Sequence, residues 1–338
     1  MNRPIDAVVT WVDGNDEAHI ERKNRIREQE PDKEYDIPTG HISTRFVDNG
    51  ELNYCLRLIR QFAPWIRTIH LVTDNQRPDF LTSSLQKKLK VRIVDHSEIF
   101  ESCEWALPTF NSRTIETALH RIPGIAERFI YFNDDILLTA PIPPERFFFN
   151  DSVVLRGRWN YASAFSNMRV RLNNWLNAMA YRYFGITRSM HHLLQIRSAR
   201  LAGFRNRYFR IPHIPHPVRT ETIRVFFRQH PELFEQNIQY RFRNMNQFST
   251  IYLANHMEIR RGRAILKKAR DHLMINCETD FQYQIRQKLN RIQQGKTRCL
   301  CIQGLERLNP VLKRELTETL ENLIVMKARL PNLFNSST

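Results

Sequence analysis

Two adjacent carboxylates follow a short apolar run in the first half of this 338-residue chain. Phe129–Phe132 (FIYF) has the aromatic and β-branched character of a buried strand, and Asp134 and Asp135 come just after it. Open α/β sheets bind their ligands at the carboxyl ends of strands. Because neighbouring carboxylates repel each other, a Mg²⁺ ion that also binds substrate phosphates would stabilise the pair. The sequence therefore indicates a metal site, and a solvated turn is the alternative.

A turn near the amino terminus is the first candidate for binding a nucleotide. Thr10–Gly14 (TWVDG) ends the first candidate strand, where nucleotide-dependent α/β enzymes often bind the base or the phosphates. The sequence contains no GxGxxG and no GKS or GKT motif. We therefore expect side chains and a metal, rather than a glycine-rich backbone loop, to hold any diphosphate.

Two candidate helix starts carry further ligand-binding side chains. At Asn111–Arg113 a helix amino terminus, a hydroxyl and an arginine together favour an anion, although Ser112 could instead be a simple N-cap. At Arg45–Leu52, Asp48 or Asn49 would cap the next helix, and the functional alternative is that Arg45 and Asn49 face a ligand. Both starts thus have a structural and a functional interpretation.

Ile211–Pro217 (IPHIPHP) holds two histidines in an extended segment stiffened by three prolines. A rigidly positioned imidazole suits a general base near neutral pH. A polyproline surface loop is one alternative. The other is a metal site formed by His213 and His216, although no third soft ligand lies nearby in the sequence.

The charge of the chain implies an anionic partner. Lysine and arginine number 51 against 35 acids, a formal net charge of +16, and the arginine-rich excess lies mostly after residue 155. Nucleic acid, a phosphorylated sugar polymer, a nucleotide and an anionic membrane face all fit, and ordinary solvated helix surface accounts for part of the excess. Since no RNA- or DNA-binding motif is present, we expect no nucleic acid partner.

Several absences predict a reduced, cytoplasmic environment. No run approaches the roughly 20 apolar residues that span a bilayer, and the start of the chain has no apolar signal core. The five cysteines have irregular spacings, which predicts free thiols.

Strand-like and helix-like segments alternate in the first 150 residues, which predicts an α/β fold with a Rossmann-like, mostly parallel sheet. The candidate strands and helices there are Ala7–Val12, Glu51–Phe62, Thr68–Thr73, Lys90–Val94, Thr109–Arg121 and Phe129–Phe132. We predict a division into a 1–150 α/β core and a 151–338 helical, basic subdomain. Its expected helices are Glu221–Arg228, Glu258–Lys268, Phe281–Gln293 and Asn309–Ala328, the last with a membrane-surface role as the alternative.

Four long motifs, in the same order, strongly resemble the first two conserved regions of the Stealth family: IDAVVTWVDGND, RFVDNGELNYCLRLIRQFAPWIRTIHLVTDNQRPDFL, VRIVDHSEIF and LPTFNSRTIETALHRIPGIAERFIYFNDDILL. That family includes bacterial capsular polysaccharide phosphotransferases and the animal lysosomal-enzyme N-acetylglucosamine-1-phosphotransferase. The resemblance covers most of residues 5–138. A weaker resemblance to the third region follows at HIPHPVRTETIRVFFRQHPELFEQNIQYRFRNMNQF, and it fades near KTRCLCIQGLE.

The resemblance implies a glycosyltransferase-A-like fold and the transfer of a hexose-1-phosphate. The donor would be a UDP-sugar, typically UDP-N-acetylglucosamine, and the acceptor a hydroxyl of an anionic oligosaccharide or polysaccharide. The products would be a phosphodiester and UMP, with Mg²⁺ (or Mn²⁺) as cofactor. A capsule-related setting at the inner face of the membrane, beside export machinery, is also implied, and a homo-oligomer stays open. An ordinary nucleotide-sugar-dependent glycosyltransferase is the alternative enzyme.

The resemblance also assigns site residues. Asn133, Asp134 and Asp135 match the family's Asn-Asp-Asp motif, with Asp135 as the essential acid. His213 matches the general base and Arg243 an arginine of the active site. Animal relatives carry Asn-Asp where this chain has Cys301–Gly304, so Gln303 or Glu306 would replace the fourth-region acid. With the candidate anion site, the predicted donor-binding residues are Thr10, Trp11, Val12, Asp13, Gly14, Arg45, Asn49, Glu51, Asn111, Ser112 and Arg113.

Overall fold

The computed structural model describes residues 3–29, 49–162 and 191–325, with isolated positions between 172 and 183. Arg45, a predicted donor ligand, lies outside the described residues. The strands are β1 (Ile5–Thr10), β2 (Ile69–Thr73), β3 (Val91–Asp95), β4 (Arg128–Asn133), β5 (Ile136–Leu138), β6 (Phe148–Phe149), β7 (Ser152–Arg156), β8 (Arg158–Tyr161), β9 (Arg207–Arg210), β10 (His216–Arg219), β11 (Ala264–Lys267), β12 (His272–Asn276) and β13 (Cys299–Gln303).

The helices alternate with these strands in the first half and are more frequent in the second. They are α1 (Glu17–Gln29), α2 (Glu51–Phe62), α3 (Ser83–Leu89), α4 (His96–Ile99), α5 (Ser112–Ala118), α6 (His191–Leu201), α7 (Thr220–Gln229), α8 (Pro231–Ile238), α9 (Thr250–Arg260), α10 (Gln282–Gln293) and α11 (Pro310–Val325). Within the described part of the chain, no helix is long and apolar enough to cross a membrane.

A five-stranded sheet in the order β10-β4-β1-β2-β3 forms the centre of the molecule. Strands β4, β1, β2 and β3 run parallel, and β10 joins β4 antiparallel at one edge. This arrangement confirms the predicted Rossmann-like α/β fold. In a parallel sheet the carboxyl ends of all strands share one edge, so the turns after β1, β2 and β4 are neighbours.

Helices cover both faces of this sheet, because successive strand residues point to opposite sides. Ala7 and Val9 face one hydrophobic core, which α2 covers, whereas Val8 faces a second core beneath α5, α7 and α9. All three side chains are fully buried. The near-continuous apolar sequence of β1 reflects this burial on both faces.

A second, three-stranded sheet in the order β12-β13-β5 extends the first core towards the carboxyl terminus. Strand β13 pairs antiparallel with β5, so Cys301 lies opposite Ile136 just after the carboxylate pair. Residues from α2, β13 and α11 pack in this one core. The predicted division near residue 150 stays a prediction, and the core contains residues from both sides of it.

Two local predictions were wrong. Helix α9 begins at Thr250 and ends at Arg260, and β11 follows, so Glu258–Lys268 is not one helix. The reason is Gly262, whose φ of 68° reverses the chain between them. Likewise, Asn49 does not cap α2, because Gly50 occupies the N-cap with a φ of 94°, and Asp48 lies outside the described residues.

Many arginines of the basic second half donate hydrogen bonds to the backbone carbonyls of loops. Arg241 donates to the carbonyl of Pro108 over 3.0 Å, and Arg197 donates to that of Met245 over 3.0 Å. Arg219 and Arg298 bind the carbonyls of Asp151 and Pro141 in the same way. Part of the positive charge therefore serves loop structure rather than ligand binding.

Asp6 anchors the beginning of β1 in the interior. Its carboxylate, fully buried, accepts hydrogen bonds from Arg67 Nε at 2.8 Å and from the Ala126 amide at 2.8 Å, and it lies 3.1 Å from His70 Nε2. Burial by itself would raise the pKa of Asp6, but the hydrogen bonds from His70, Arg67 and Ala126 outweigh it and lower the pKa to about 2. The charged carboxylate therefore stabilises the fold.

Asp6→Asn should lower the free energy of unfolding by about 2 kcal/mol at pH 7, because the charge-assisted bonds weaken. The difference in the free energy of unfolding between the wild type and Asp6→Asn should be complete above pH about 4, the pKa of aspartate in the unfolded chain. It should shrink as the pH falls towards 2. Urea unfolding at several pH values measures this difference. The exposed Asp151→Asn is the control, and an Asp6→Asn deficit that does not change with pH would contradict the argument.

Candidate active site

The pairing of β1 with β4 brings the two main candidate segments together. Thr10 lies directly opposite Asn133 in this register, so the turn after Thr10 and the carboxylates after Asn133 share one sheet edge. The buried hydroxyl of Tyr131 lies 3.1 Å from Thr10 Oγ1 and donates to Asn133 Oδ1 over 2.7 Å. The edge is thus held by side chains as well as by the strands.

Asp135 is partly buried beside β13. The thiol of Cys301 donates to Asp135 Oδ2 over 3.5 Å, and the Gln303 side chain also bonds to the carboxylate. Oδ1 is buried and has no hydrogen-bond partner within the described part of the chain. Burial raises the pKa of Asp135, and the nearby charge of His213 works against that rise.

His213 lies in the loop that joins β9 to β10. Because β10 runs antiparallel to β4, with His216 opposite Tyr131, the loop before β10 lies at the carboxyl end of β4. Burial lowers the pKa of His213, whereas the neighbouring Asp135 charge raises it. The structure therefore brings the two predicted residues together. His216, in contrast, is buried and lies 3.5 Å from the Tyr252 hydroxyl.

Arg243 reaches the same edge from the loop between α8 and α9. It donates to Ser112 Oγ over 2.8 Å, which joins it to the start of α5. Burial lowers the pKa of Arg243, while Glu116, Tyr131 and Asp135 oppose that shift. A guanidinium stays charged under such conditions, so Arg243 supplies a fixed positive charge beside the carboxylates.

Glu116 is the buried counter-charge of this arginine. Ser249 Oγ donates to Glu116 Oε2 over 2.9 Å, and the Tyr131 hydroxyl lies 3.4 Å from Oε1. Burial raises the pKa of Glu116, whereas the Ser249 hydrogen bond and the charges of Arg113 and Arg243 lower it. The charge of Glu116 therefore balances that of Arg243, while Ser249 and Tyr131 hold the Glu116 carboxylate.

In the structure, the side chains of Asn111–Arg113 mainly stabilise the start of α5 and the neighbouring loop. Asn111, not Ser112, is the N-cap of α5, and its side-chain amide donates to the Phe242 carbonyl over 2.8 Å. Arg113 is buried and donates to the Asn244 carbonyl over 2.8 Å. These bonds hold the loop that carries Arg243. A donor-binding role for the three residues stays a prediction.

The Thr10–Gly14 turn is held by a glutamine from the next strand end. Gln76 Oε1 accepts from the Asp13 amide over 2.8 Å, and Gln76 Nε2 donates to the Asp13 carbonyl over 3.0 Å. Trp11 is buried, and its amide donates to the Val72 carbonyl over 3.0 Å. The two bonds of Gln76 fix both polar groups of the Asp13 backbone.

Asn49 and Glu51 lie at the start of α2, one helical turn before Cys55. Glu51 Oε2 accepts from the Asn49 amide over 2.6 Å, and Lys313 of α11 donates to Asn49 Oδ1 over 3.3 Å. Cys55 packs against the carboxylate turn, with its thiol 3.4 Å from the Ile136 carbonyl. The start of α2 therefore borders the carboxylate turn.

The two candidates for the fourth-region acid differ in position. Gln303 contacts Asp135, and its carbonyl accepts from the Cys277 amide over 2.8 Å. Burial raises the pKa of Cys277 to about 12, with a further contribution from the charge of Glu306. Of the two candidates, Gln303 is therefore the one that contacts Asp135, and its neutral amide adds no charge to the carboxylate pair.

The donor set at Asp134 and Asp135 fits a hard divalent cation. Oxygen ligands suit Mg²⁺, and the buried, unpartnered Oδ1 of Asp135 gives such an ion a carboxylate oxygen. No group of three His, Cys, Asp or Glu side chains converges as a metal cage among residues 3–29, 49–162 and 191–325. Mg²⁺ does not require one, because one or two carboxylates and substrate phosphates commonly complete its coordination.

Sequence reasoning missed four polar residues of this edge. Gln76 and Asp74 directly follow β2, so the rule about strand carboxyl ends could have found them. Asp74 accepts from Arg22 over 2.9 Å and thereby ties α1 to the sheet. Tyr131 and Glu116 look like ordinary strand and helix residues, and no local pattern marks them.

Two family models match the amino-terminal half of the chain. The model described as Stealth protein CR1, conserved region 1, matches residues 3–30. The model described as Stealth protein CR2, conserved region 2, matches residues 45–155. The matched residues contain β1, β4, the Thr10–Gly14 turn and the carboxylate pair.

Relatives named as polysaccharide phosphotransferases are similar over most of the chain. The capsular polysaccharide phosphotransferase WcwK of Streptococcus pneumoniae is 29% identical over 97% of this chain and 99% of its own length. The receptor polysaccharide phosphotransferase WefC of Streptococcus oralis is 30% identical over 78% of this chain and 80% of its own length.

Other similarities are shorter or weaker. An exopolysaccharide phosphotransferase of Streptomyces coelicolor is 45% identical over 44% of this chain, and the match spans 24% of that longer protein. Among solved structures, the galactosyltransferase LgtC aligns with a TM-score of 0.40 and 8% identity, over 94% of this chain and 95% of its own.

Gln76→Leu should loosen the Thr10–Gly14 turn without unfolding the sheet, because leucine cannot bond to the Asp13 backbone. We expect amide hydrogen exchange at Asp13 to become about 10-fold faster, the effect of losing roughly one net hydrogen bond. Exchange measured by NMR or mass spectrometry tests this. Gln239→Leu is the control, because the exposed Gln239 amide donates to the Gln236 carbonyl in its own part of the chain. Unchanged exchange at Asp13 would show that Gln76 does not hold the turn.

Proposed function

The chain belongs to the Stealth protein family and is a transferase, and we propose that it transfers a hexose-1-phosphate from a UDP-sugar to a hydroxyl of a capsular saccharide. The observation that carries the proposal is the convergence of Asp135, His213 and Arg243 at one sheet edge, where the charge of Asp135 raises the pKa values of both His213 and Arg243 against the effect of burial. The names of WcwK and WefC support polysaccharide phosphate transfer as the reaction class.

In the proposed reaction, the acceptor oxygen attacks the phosphorus that carries the sugar. A bond forms between that oxygen and the phosphorus, and the bond from the phosphorus to the oxygen of the departing UMP breaks. His213 takes the proton of the acceptor hydroxyl, and its burial, which lowers its pKa, favours the neutral, proton-accepting form. The bond between the sugar and its own oxygen stays intact.

Arg243 stabilises the negative charge on the transferring phosphoryl group. Phosphoryl transfer depends mainly on positioning and on such charge stabilisation. Ser112 holds the guanidinium by a hydrogen bond and Glu116 balances its charge, so the positive charge is in place before the substrate binds. This preorganised charge is one contribution of the second half of the chain to the site, and His213 is the other.

We place the divalent cation, Mg²⁺ or Mn²⁺, at Asp135 with Asp134 as a second ligand. When bound, it would neutralise charge on the donor diphosphate and help to orient it. Cys301 and Gln303 restrict the Asp135 carboxylate, so that Oδ1 keeps a defined direction.

We place the uridine side of the donor at the Thr10–Gly14 turn. Gln76 holds this turn rigid, and Asn49 and Glu51 border the carboxylate turn from α2. The acceptor would be an anionic saccharide, attracted by the net charge of +16 in a way that weakens with salt. A cytoplasmic position at the inner membrane face, contact with export machinery and a homo-oligomer belong to the same proposal.

Purified protein incubated with UDP-N-acetylglucosamine, Mg²⁺ and an oligosaccharide primer should yield a phosphodiester and UMP. Phosphorus NMR distinguishes the two reactions. Transfer of the sugar phosphate gives a phosphodiester resonance that increases with the amount of primer, whereas transfer of the sugar alone gives UDP. UDP release with a glycosidic product would instead identify a glycosyltransferase.

Asp135→Asn and His213→Ala should each lower kcat by about 10²- to 10⁴-fold, the usual contribution of a general base or a charged catalytic group. Asp135→Asn should also raise the Mg²⁺ concentration needed for the half-maximal rate. Asp79→Asn and His230→Ala, both on the exposed surface, are matched controls. Near-normal turnover in folded Asp135→Asn and His213→Ala would contradict these roles.

A further inference from the structure

A second histidine lies flat against the proposed general base. The ring centroids of His191 and His213 are 4.1 Å apart, and the two ring planes differ by 25°. His191 is at the start of α6, and His213 is in the loop after β9, so two separate elements meet at this stack. The contact restricts rotation of the His213 ring from one side.

Both ring nitrogens of His191 have partners that define its tautomer. Gln195 Nε2, which can only donate, lies 3.1 Å from Nδ1, so Nδ1 accepts. Nε2 must then carry the proton and donate it to the Tyr252 hydroxyl, with which it forms a short hydrogen bond. Tyr252 in turn faces His216 at 3.5 Å. His191 is therefore a neutral imidazole, and hydrogen bonds at both of its ring nitrogens fix its orientation.

Gln195 also forms two hydrogen bonds to the backbone of the loop that carries His213. Its Nε2 donates to the Ile211 carbonyl over 2.8 Å, and its Oε1 accepts from the Ile211 amide over 3.0 Å. Gln195 is fully buried. Helix α6 therefore holds the loop two residues before His213 and holds the His213 ring itself through His191.

We propose that His191, supported by Gln195, is a positioning residue that fixes the plane of the His213 imidazole for proton transfer from the acceptor. The inference rests on the proposed function, since it takes His213 as the general base. Burial lowers the pKa of His191 well below its usual value. A neutral His191 does not repel the imidazolium that forms at His213, so the stack persists when the proton is transferred.

A double-mutant cycle with His213 tests the proposal. His191→Ala should lower kcat by about 10- to 100-fold, the typical cost of a misplaced catalytic group, with KM for donor and acceptor nearly unchanged. In the His213→Ala background the same change should have no further effect. His191→Phe, which keeps a ring for stacking, should restore part of kcat, and His192→Ala on the same helix is the control.

Equal losses of kcat from His191→Ala with and without His213 would overturn the proposal, because a purely structural role predicts additivity. A second readout does not depend on turnover. In ¹⁵N-histidine spectra, the His213 ring resonances should shift and broaden in His191→Ala, and unchanged resonances would also overturn it. If the wild type transfers no sugar phosphate, the proposed function fails, and the spectra still decide whether His191 positions His213.

Discussion

The parallel register of β1 against β4 is the constraint on which the site depends. With Thr10 opposite Asn133, the turn after the first strand and the carboxylate pair after the fourth lie on one edge of the sheet. A slip of one residue would turn Tyr131 to the opposite face and break its contact with Thr10 across the strands. Each face of the sheet packs against its own core, so side chains that changed faces in such a slip would lose their packing partners.

Around this edge, the second half of the chain supplies the groups with positive charge or proton affinity. Its loops carry His213 and Arg243 to the carboxylates, and buried polar contacts hold those loops. Arg243 binds Ser112, and Gln195 binds the backbone of Ile211. Buried polar groups of this kind cost stability when they are unpaired, and their paired state specifies a single arrangement. The rigidity suits a reaction that gains most from positioning and from preorganised charge.

The parts of the fold that depend on local pattern could be predicted from the sequence. The parallel strands, α2 and α10 follow from apolar periodicity, and the carboxylate pair was found from its place after a strand. The strand Ala264–Lys267 was missed because the reversal at Gly262 interrupts a helix-like composition. Glu116 and His191 could not be found, because their partners Ser249 and His213 are distant in the chain and leave no spacing signal. The proline-stiffened segment marked His213 and His216 as candidate bases, and the family resemblance then selected His213 and supplied Arg243, which composition does not distinguish from other arginines.

The proposed site directs attack at phosphorus and leaves the sugar carbon untouched. A UDP-N-acetylglucosamine labelled with ¹⁸O at the oxygen that joins carbon 1 of the sugar to phosphorus tests it most directly. After transfer to an oligosaccharide primer in the presence of Mg²⁺, mass spectrometry locates the label. If attack occurs at phosphorus, the ¹⁸O stays in the saccharide phosphodiester and the released UMP is unlabelled. Labelled UDP beside an unlabelled glycosidic product would contradict it.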